Sequence, residues 1–226
     1  MEAEQIINGA EGQWHHLLPP PAAAALSSEI QLRAAPRRQD RCIDLGAGAG
    51  VLSVLLSTEV AEVIAIEPSR ILRVRLEARA AELGRSNIRT EAVPIAELVM
   101  PWQSCDLVIS GFALHHCLDV DKRAIVSRIH RWLRPGGRLV IGDMMPDRPA
   151  PAGRRPLRSR GTDHHARGRI DHSSGRFFRT TMHAWREMPA TGEFWLQAFE
   201  DAGYRSLGHR QLLPGVGVVW GVVEPG

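Results

Sequence analysis

The chain has 226 residues, of which 44% are hydrophobic, so it can bury the core of one large domain or of one domain with a small cap. This composition excludes disorder along the whole length, and no apolar run approaches the ~20 residues that a membrane-spanning helix needs. The net charge of +3 is small, but ten arginines and only two aspartates lie between Arg148 and Arg186. Because that stretch is rich in proline, glycine and histidine and does not form a periodic basic face, we predict no nucleic-acid partner.

Residues 1–39 are expected to form a helical lead-in or cap. The tripeptide Pro19-Pro20-Pro21 is expected to break the chain before a helix over Ala22–Leu32. The N-terminus lacks the order of a signal peptide, and the three cysteines form neither a CxxC pair nor a disulfide framework. We therefore predict a cytoplasmic protein with reduced thiols and no membrane partner.

Residues 40–145 alternate between short apolar strands and helices, a pattern that predicts a parallel sheet with right-handed crossovers. Ser69 is expected to cap the second of these helices. The predicted strands are Arg41–Leu45, Val63–Ile66, Ile88–Val93, Asp106–Ser110 and Arg138–Asp143, and the helices are Gly50–Ser57, Ile71–Leu83 and Val120–Leu133.

The periodicity is lost over residues 146–190 and returns in a helix that begins at Thr191 and ends at Gly203. Two strands follow, Tyr204–Leu212 and Val216–Val223, and the three residues between them fit an antiparallel hairpin. For 146–190 two hypotheses stay open. In the first, the segment is a basic lid whose arginines bind an acidic acceptor. In the second, it contributes little to function and has the composition that a shifted reading frame would produce.

Glycines follow the first predicted strand in the run Asp44-Leu45-Gly46-Ala47-Gly48-Ala49-Gly50. Glycine lets the backbone turn sharply and approach a ligand closely, and the helix that follows offers unpaired N–H groups. The spacing is GxGxG, which differs from the GxGxxG of a pyrophosphate-binding turn. Glu67, at the tip of the second strand, can accept hydrogen bonds from both ribose hydroxyls. Together the two features predict a cofactor that contains adenosine.

These segments, taken with two more, resemble the four signature segments of class I S-adenosylmethionine-dependent methyltransferases. The four are Asp44–Gly50, Ile66-Glu67, Cys105–Ser110 and Leu133–Leu139, in the order of that family. The resemblance covers about residues 40–145. It implies a Rossmann-like α/β fold, a doubly wound seven-stranded sheet that is mostly parallel and ends in an antiparallel hairpin, with the seventh strand beside the fifth.

The resemblance also implies which residues hold S-adenosylmethionine. The Gly46–Gly50 turn would line the methionine part of the cofactor, and Asp44 would orient that turn. Glu67 would bind the ribose. Ser110 and Gly111 would face the sulfonium. The family often has an acidic side chain near the adenine, but this chain reads Ala92-Val93-Pro94-Ile95-Ala96-Glu97, so Ile95 and Ala96 would pack on the ring. The expected cofactor-binding residues are Asp44, Gly46, Ala47, Gly48, Gly50, Glu67, Ile95, Ala96, Ser110 and Gly111.

Two histidines follow the fourth strand, in the loop from which a methyl group would leave. Either His115 or His116 can deprotonate an acceptor, since imidazole titrates near neutral pH, although one or both can instead shape the loop. The loop is not the Asn/Asp-Pro-Pro-aromatic sequence associated with methylation of planar amines. The remaining histidines have no cysteine or carboxylate framework, so no metal site is expected.

The leading hypothesis is therefore methyl transfer by direct in-line displacement to an O, N or C atom of a small-molecule substrate. The catalytic domain would span 40–226, with 1–39 and 146–190 covering the acceptor, in a monomer or a homodimer. Two alternatives remain, a nicotinamide-dependent oxidoreductase and a catalytically inactive methyltransferase-like binding protein. The sequence does not identify the acceptor.

Overall fold

The computed structural model describes residues 18–148 and 188–225, which form one seven-stranded α/β domain. The helices are α1 (Pro20–Ala34), α2 (Val51–Leu56), α3 (Arg70–Glu82), α4 (Asp119–Trp132) and α5 (Gly192–Asp201). The strands are β1 (Arg41–Leu45), β2 (Glu62–Ile66), β3 (Ile88–Glu91), β4 (Cys105–Gly111), β5 (Leu133–Met144), β6 (Arg205–Leu213) and β7 (Val216–Val222). Most of 146–190 and the first 17 residues of the lead-in lie outside the described residues.

The strand order is β3-β2-β1-β4-β5-β7-β6. The pairs from β3 to β5 are parallel, whereas β7 runs antiparallel to both β5 and β6. The predicted parallel sheet, the terminal hairpin and the place of the last strand beside the fifth are confirmed. The loop between β6 and β7 has only two residues outside the strands, too short for the crossover that a parallel pair needs.

Helices cover both faces of the sheet because successive side chains of a buried strand point to opposite faces. One face packs against α4 and α5, where Trp195 and Phe199 are buried. The other packs against α1 and α2, with Leu26 and Ile30 buried. Each such side chain contributes about 1.5–3 kcal/mol relative to an exposed one.

The helix expected from Ala22 begins two residues earlier than predicted. Helix α1 begins at Pro20, with Pro19 as its N-cap, because the first turn needs no N–H from these residues and the proline φ is already helical. The helix contacts the sheet closely at Gly142, where an added Cβ would lie 2.6 Å from Ile30 Cδ1. The described part of the lead-in is therefore part of the core.

The expected cap of α3 is also different. Ser69 occupies the N-cap position, but its side chain makes no capping hydrogen bond; its amide instead donates to Glu67 Oε1 at 2.8 Å. Thr191, by contrast, caps α5 by accepting a hydrogen bond from the Phe194 amide at 3.1 Å. Among the described residues, no helix is long and apolar enough to cross a membrane.

A buried ion pair between Arg138 and Asp40 joins the central part of β5 to the turn before β1. We expect Arg138→Met to lower the free energy of unfolding by about 3–5 kcal/mol, because it leaves the Asp40 carboxylate buried without its counter-ion. Arg134→Met is the control, since the Arg134 guanidinium is exposed and binds Asp106 at 2.7 Å, a type of pair worth about 1 kcal/mol or less. Urea unfolding followed by circular dichroism measures both, and equal losses would contradict the prediction.

Candidate functional site

The carboxyl ends of four parallel strands meet at one edge of the sheet. Leu45 at the end of β1 pairs with Ile66 of β2 and with Ser110 of β4, and Gly111 pairs with Gly142 of β5. The segments that follow these strands therefore lie beside one another. In open α/β sheets this edge is where ligands bind.

The glycine turn after β1 has the backbone conformation that its sequence predicts. Gly46, Gly48 and Gly50 have φ of 72°, 56° and 88°, a region that other residues rarely adopt. The amides of Gly46 and Ala47 both donate to the Ile66 carbonyl, at 2.9 and 3.0 Å. The turn is thus attached to the end of β2.

At two of the three glycines, neighbouring protein atoms leave no space for a side chain. A Cβ on Gly46 would lie 2.3 Å from the Ala113 Cβ, and one on Gly50 would lie 2.5 Å from the Leu76 Cγ. The sequence predicted these glycines for a sharp turn and for close approach to a ligand. At Gly46 and Gly50 the absent Cβ also allows the turn to pack against the loop after β4 and against α3.

The Glu67 carboxylate is buried and held by two backbone amides. Gly48 N donates to Oε2 at 2.9 Å, and Ser69 N donates to Oε1 at 2.8 Å. Arg73 fixes the same corner by donating to the Glu67 carbonyl at 2.7 Å. Each carboxylate oxygen has further lone-pair capacity, so a fixed hydrogen-bond acceptor lies at the end of β2.

Asp44, in β1 just before the glycine turn, is buried. Its carboxylate accepts a hydrogen bond from Ser53 Oγ of α2 at 2.6 Å. Burial raises the pKa of the Asp44 carboxyl to about 7, the Ser53 hydrogen bond opposes that rise, and the nearby Glu67 adds to it. Asp44 therefore connects β1 to α2.

Ser110 and Gly111 are buried at the end of β4. The Ser110 hydroxyl donates to the Leu45 carbonyl at 3.0 Å, so its hydrogen is bound within the sheet. Their contact with the cofactor stays a prediction. The next residue, Phe112, has a φ of 49°, an uncommon conformation for a residue with a bulky side chain that turns the chain sharply out of the strand.

The turn after β3 presents backbone where the family often has an acid. Glu97 is exposed, and proline stands at position 94. Arg128 of α4 donates to the carbonyls of Ala96 and Ile95, at 2.7 and 3.1 Å. Within the described ranges no acceptor binds the Ile95 amide, which leaves this N–H for an adenine nitrogen. The residues present thus fit an adenosine group bound through Glu67 and this turn.

Asp143, at the end of β5, is a site residue that the sequence reasoning missed. Its Oδ1 lies 2.6 Å from His115 Nδ1, and its Oδ2 accepts the His115 amide at 3.0 Å. Both side chains are 1% exposed. A carboxylate on Nδ1 fixes the tautomer that carries its proton there and leaves Nε2 as the acceptor.

The two adjacent histidines occupy different environments. His115 is buried in a 3-10 turn over Leu114–His116, whereas His116 is exposed and stacks on His115 with ring centroids 4.0 Å apart. His115 Nε2 is buried and has no hydrogen-bond partner in the part of the chain that the structure describes. In those same residues no cluster of three potential metal ligands occurs.

The raised pKa of Asp44 makes a prediction about stability. The folded chain keeps a proton that the unfolded chain, with an ordinary pKa of 3.8, releases. The contribution of Asp44 to stability is therefore complete below about pH 4 and is lost as the pH rises to about 7. Asp44→Asn cannot ionise, so its free energy of unfolding should increase relative to that of the native chain between about pH 4 and pH 7. Urea unfolding across that range measures the difference, and a constant offset would contradict it.

Comparison with known proteins finds similarity to methyltransferases over about half of the chain. Residues 42–137 match a family described as a methyltransferase domain. An uncharacterized methyltransferase of Oceanobacillus iheyensis is 31% identical over 107 residues, covering 47% of this chain and 48% of that protein. The 27-O-demethylrifamycin SV methyltransferase of Amycolatopsis mediterranei is 32% identical over 120 residues, covering 52% of this chain and 43% of that protein. The chain thus matches about half the length of these relatives.

The described fold is also that of known enzymes. A crystal structure of an S-adenosylmethionine-dependent methyltransferase from Mesorhizobium loti superposes with a TM-score of 0.60 at 19% identity, covering 89% of this chain and 97% of that chain. Neither a nicotinamide-dependent oxidoreductase nor an inactive binding protein is favoured by these relatives. Residues 42–137 are therefore similar to a methyltransferase domain, and the fold is that of S-adenosylmethionine-dependent methyltransferases.

Proposed function

We propose that this chain transfers the methyl group of S-adenosylmethionine to a hydroxyl oxygen of a small organic molecule, with His115 as the general base. The observation that carries this proposal is the buried hydrogen bond between His115 Nδ1 and Asp143 at the carboxyl edge of the sheet. The relative from Amycolatopsis mediterranei, which is named for methylation at an oxygen, supports the choice of a hydroxyl.

The cofactor is held, in this proposal, by backbone and by one carboxylate. Glu67 accepts the ribose hydroxyls, the Ile95 amide and the apolar Ile95 side chain meet the adenine, and the Gly46–Gly50 turn follows the methionine part. The bound cofactor supplies a methyl group already activated by a positive sulfur. What the protein adds is mostly alignment of acceptor, methyl carbon and sulfur in one line.

His115 removes the proton that the acceptor oxygen must lose as it is methylated. Asp143 holds the imidazole with its proton on Nδ1, so Nε2 presents a lone pair to the hydroxyl. The proton then resides on Nε2, and the carboxylate beside Nδ1 stabilises the imidazolium. The S–C bond breaks as the O–C bond forms, and the products are the methyl ether and S-adenosylhomocysteine.

The missing hydrogen-bond partner of His115 Nε2, among the described residues, supports an acceptor at this place. A buried nitrogen without a hydrogen-bond partner costs about 1–3 kcal/mol, and a hydroxyl group that binds there removes that cost. Phe112, buried beside His115 with ring centroids 6.1 Å apart, adds apolar surface next to the base. This combination of one polar atom and an aromatic wall suits a small, partly apolar alcohol or phenol.

The function is tested with methyl-labelled S-adenosylmethionine and a panel of phenols and alcohols, with products identified by mass spectrometry. We expect the label in a methyl ether and an equal amount of S-adenosylhomocysteine. Labelled products at nitrogen or carbon only would replace the hydroxyl proposal with another acceptor class. If calorimetry shows no binding of S-adenosylhomocysteine, the proposed cofactor site is wrong.

Glu67→Gln should lower the affinity for S-adenosylhomocysteine tenfold or more. The change removes the charge from hydrogen bonds to the ribose, each worth about 1.5–3 kcal/mol, and a tenfold change corresponds to about 1.4 kcal/mol. Glu62→Gln, at the opposite end of β2 where the carboxylate binds Arg41 at 2.9 Å, is the matched control and should bind normally. Calorimetry distinguishes them, and equal affinities for the two variants would exclude Glu67 from the site.

His115→Asn should lower kcat about 10²–10⁴-fold while affinity for S-adenosylhomocysteine stays near native. The asparagine amide can still donate to Asp143 but has no second ring nitrogen to accept a proton. His116→Asn should lose far less, because Asp143 binds His115 and not its neighbour. Single-turnover kinetics on the acceptor found above gives both rates, and a native rate for the His115 variant would show that it is not the base.

A further inference from the structure

Lys122, on the first turns of α4, is the only lysine of the chain and is fully buried. Lysine is among the residues least often buried, because an ammonium group loses its hydration unless other groups replace it. The surface of the protein is otherwise basic through arginine alone. A single buried lysine close to the proposed base therefore needs a physical reason.

Within the described residues, the Lys122 ammonium lies beside a carboxylate, a backbone carbonyl and an aromatic ring. It binds Asp119 Oδ1 at 2.7 Å, donates to the Met188 carbonyl, and lies 5.8 Å from the centre of the Phe194 ring. The Asp119 carboxylate is largely exposed, whereas the nitrogen is not. The buried direction of the ammonium is thus toward Met188, just before α5.

Met188 connects this ammonium to the loop that carries His115. Its amide donates to the His115 carbonyl at 2.7 Å, while its carbonyl accepts from Lys122. The backbone of His115 is therefore fixed from two sides, by Met188 at its carbonyl and by Asp143 at its amide. The imidazole can point at Asp143 only if both contacts hold the turn.

We propose that Lys122 is a positioning residue for His115, acting through the backbone of Met188. A hydrogen bond from an ammonium is about twice as strong as one between neutral groups, so the charge holds the Met188 peptide in one orientation. That peptide in turn sets the distance from the His115 ring to Asp143. The proposal rests on the proposed base for its catalytic effect, but the geometric effect stands independently.

Arg123, the next residue, makes it possible to distinguish the positioning of His115 from simple attachment of α5 to α4. Its guanidinium binds Asp201 of α5 at 2.8 Å and lies 4.6 Å from the Phe194 ring centre. It therefore joins the same two helices and contacts the same aromatic ring from the exposed side. No bond from Arg123 to Met188 or to the His115 loop occurs in residues 18–148 and 188–225.

The test uses Lys122→Met, which keeps the length of the side chain without its charge, and Met188→Pro, which removes the amide donor to His115 but keeps the carbonyl. Arg123→Met is the control. The first readout is the low-field proton resonance of His115 Nδ1–H, assigned by its loss in Asp143→Asn. The second is the division between kcat and KM on the acceptor, with affinity for S-adenosylhomocysteine as the check that each variant is folded.

We expect the resonance to shift or broaden in Lys122→Met and in Met188→Pro and to stay in place in Arg123→Met. In the first two variants kcat should fall about tenfold or more, with KM and S-adenosylhomocysteine affinity near native, since small misplacements of a base have effects up to ~10². The double variant should lose no more than the larger single loss, because both changes break one chain of contacts. If Lys122→Met does not fold, Met188→Pro decides.

A native resonance in a folded variant that lacks the Lys122–Met188–His115 connection would overturn the proposal. A resonance that shifts equally in Arg123→Met would also overturn it, because the effect would then belong to the α4–α5 contact. A shifted resonance with a native kcat would leave the positioning role standing and contradict His115 as the base. The two proposals therefore fail in distinguishable ways.

Discussion

The parallel register of β1 with β2 and β4 is the constraint on which the rest of the site depends. Pairing of Leu45 with both Ile66 and Ser110 ends three strands at one level, and the pairing of β4 with β5 adds a fourth. Every functional segment leaves the sheet at that level. A shift by one residue would turn each strand's side chains to the opposite face and separate the glycine turn from Glu67.

Three buried carboxylates lie near this carboxyl edge, and each has partners that fix it. Glu67 is held by two amides, Asp44 by Ser53, and Asp143 by the amide and ring of His115. Groups of this kind stabilise a fold less efficiently than apolar side chains, but they define one orientation when fully bonded. The exception is His115 Nε2, which has no partner within the described residues and points to chemistry.

The two faces of the sheet contribute differently to the site. On one face, α2 and α3 support the glycine turn, through Ser53 and through the Leu76 side chain under Gly50. On the other, α4 supplies Arg128 to the turn after β3 and Lys122 to the Met188 carbonyl, and the Met188 amide binds the His115 carbonyl. Helix α4 thus contacts both the proposed cofactor side and the proposed acceptor side of the site. Changes at its start and near its end are expected to affect different ligands.

The sequence by itself determined the order and type of the elements, the terminal hairpin, the glycine turn and Glu67, because these follow from periodicity and from residues adjacent in the chain. It did not find Asp143, which lies 28 residues from His115, although both end neighbouring strands of a parallel sheet. It also could not assign Lys122, whose partner Met188 is 66 residues away, or foresee that Pro20 begins a helix packed on Gly142. Only tertiary structure decided these, because hydrogen bonds and burial between distant segments depend on register and helix placement, which leave no local pattern in the sequence.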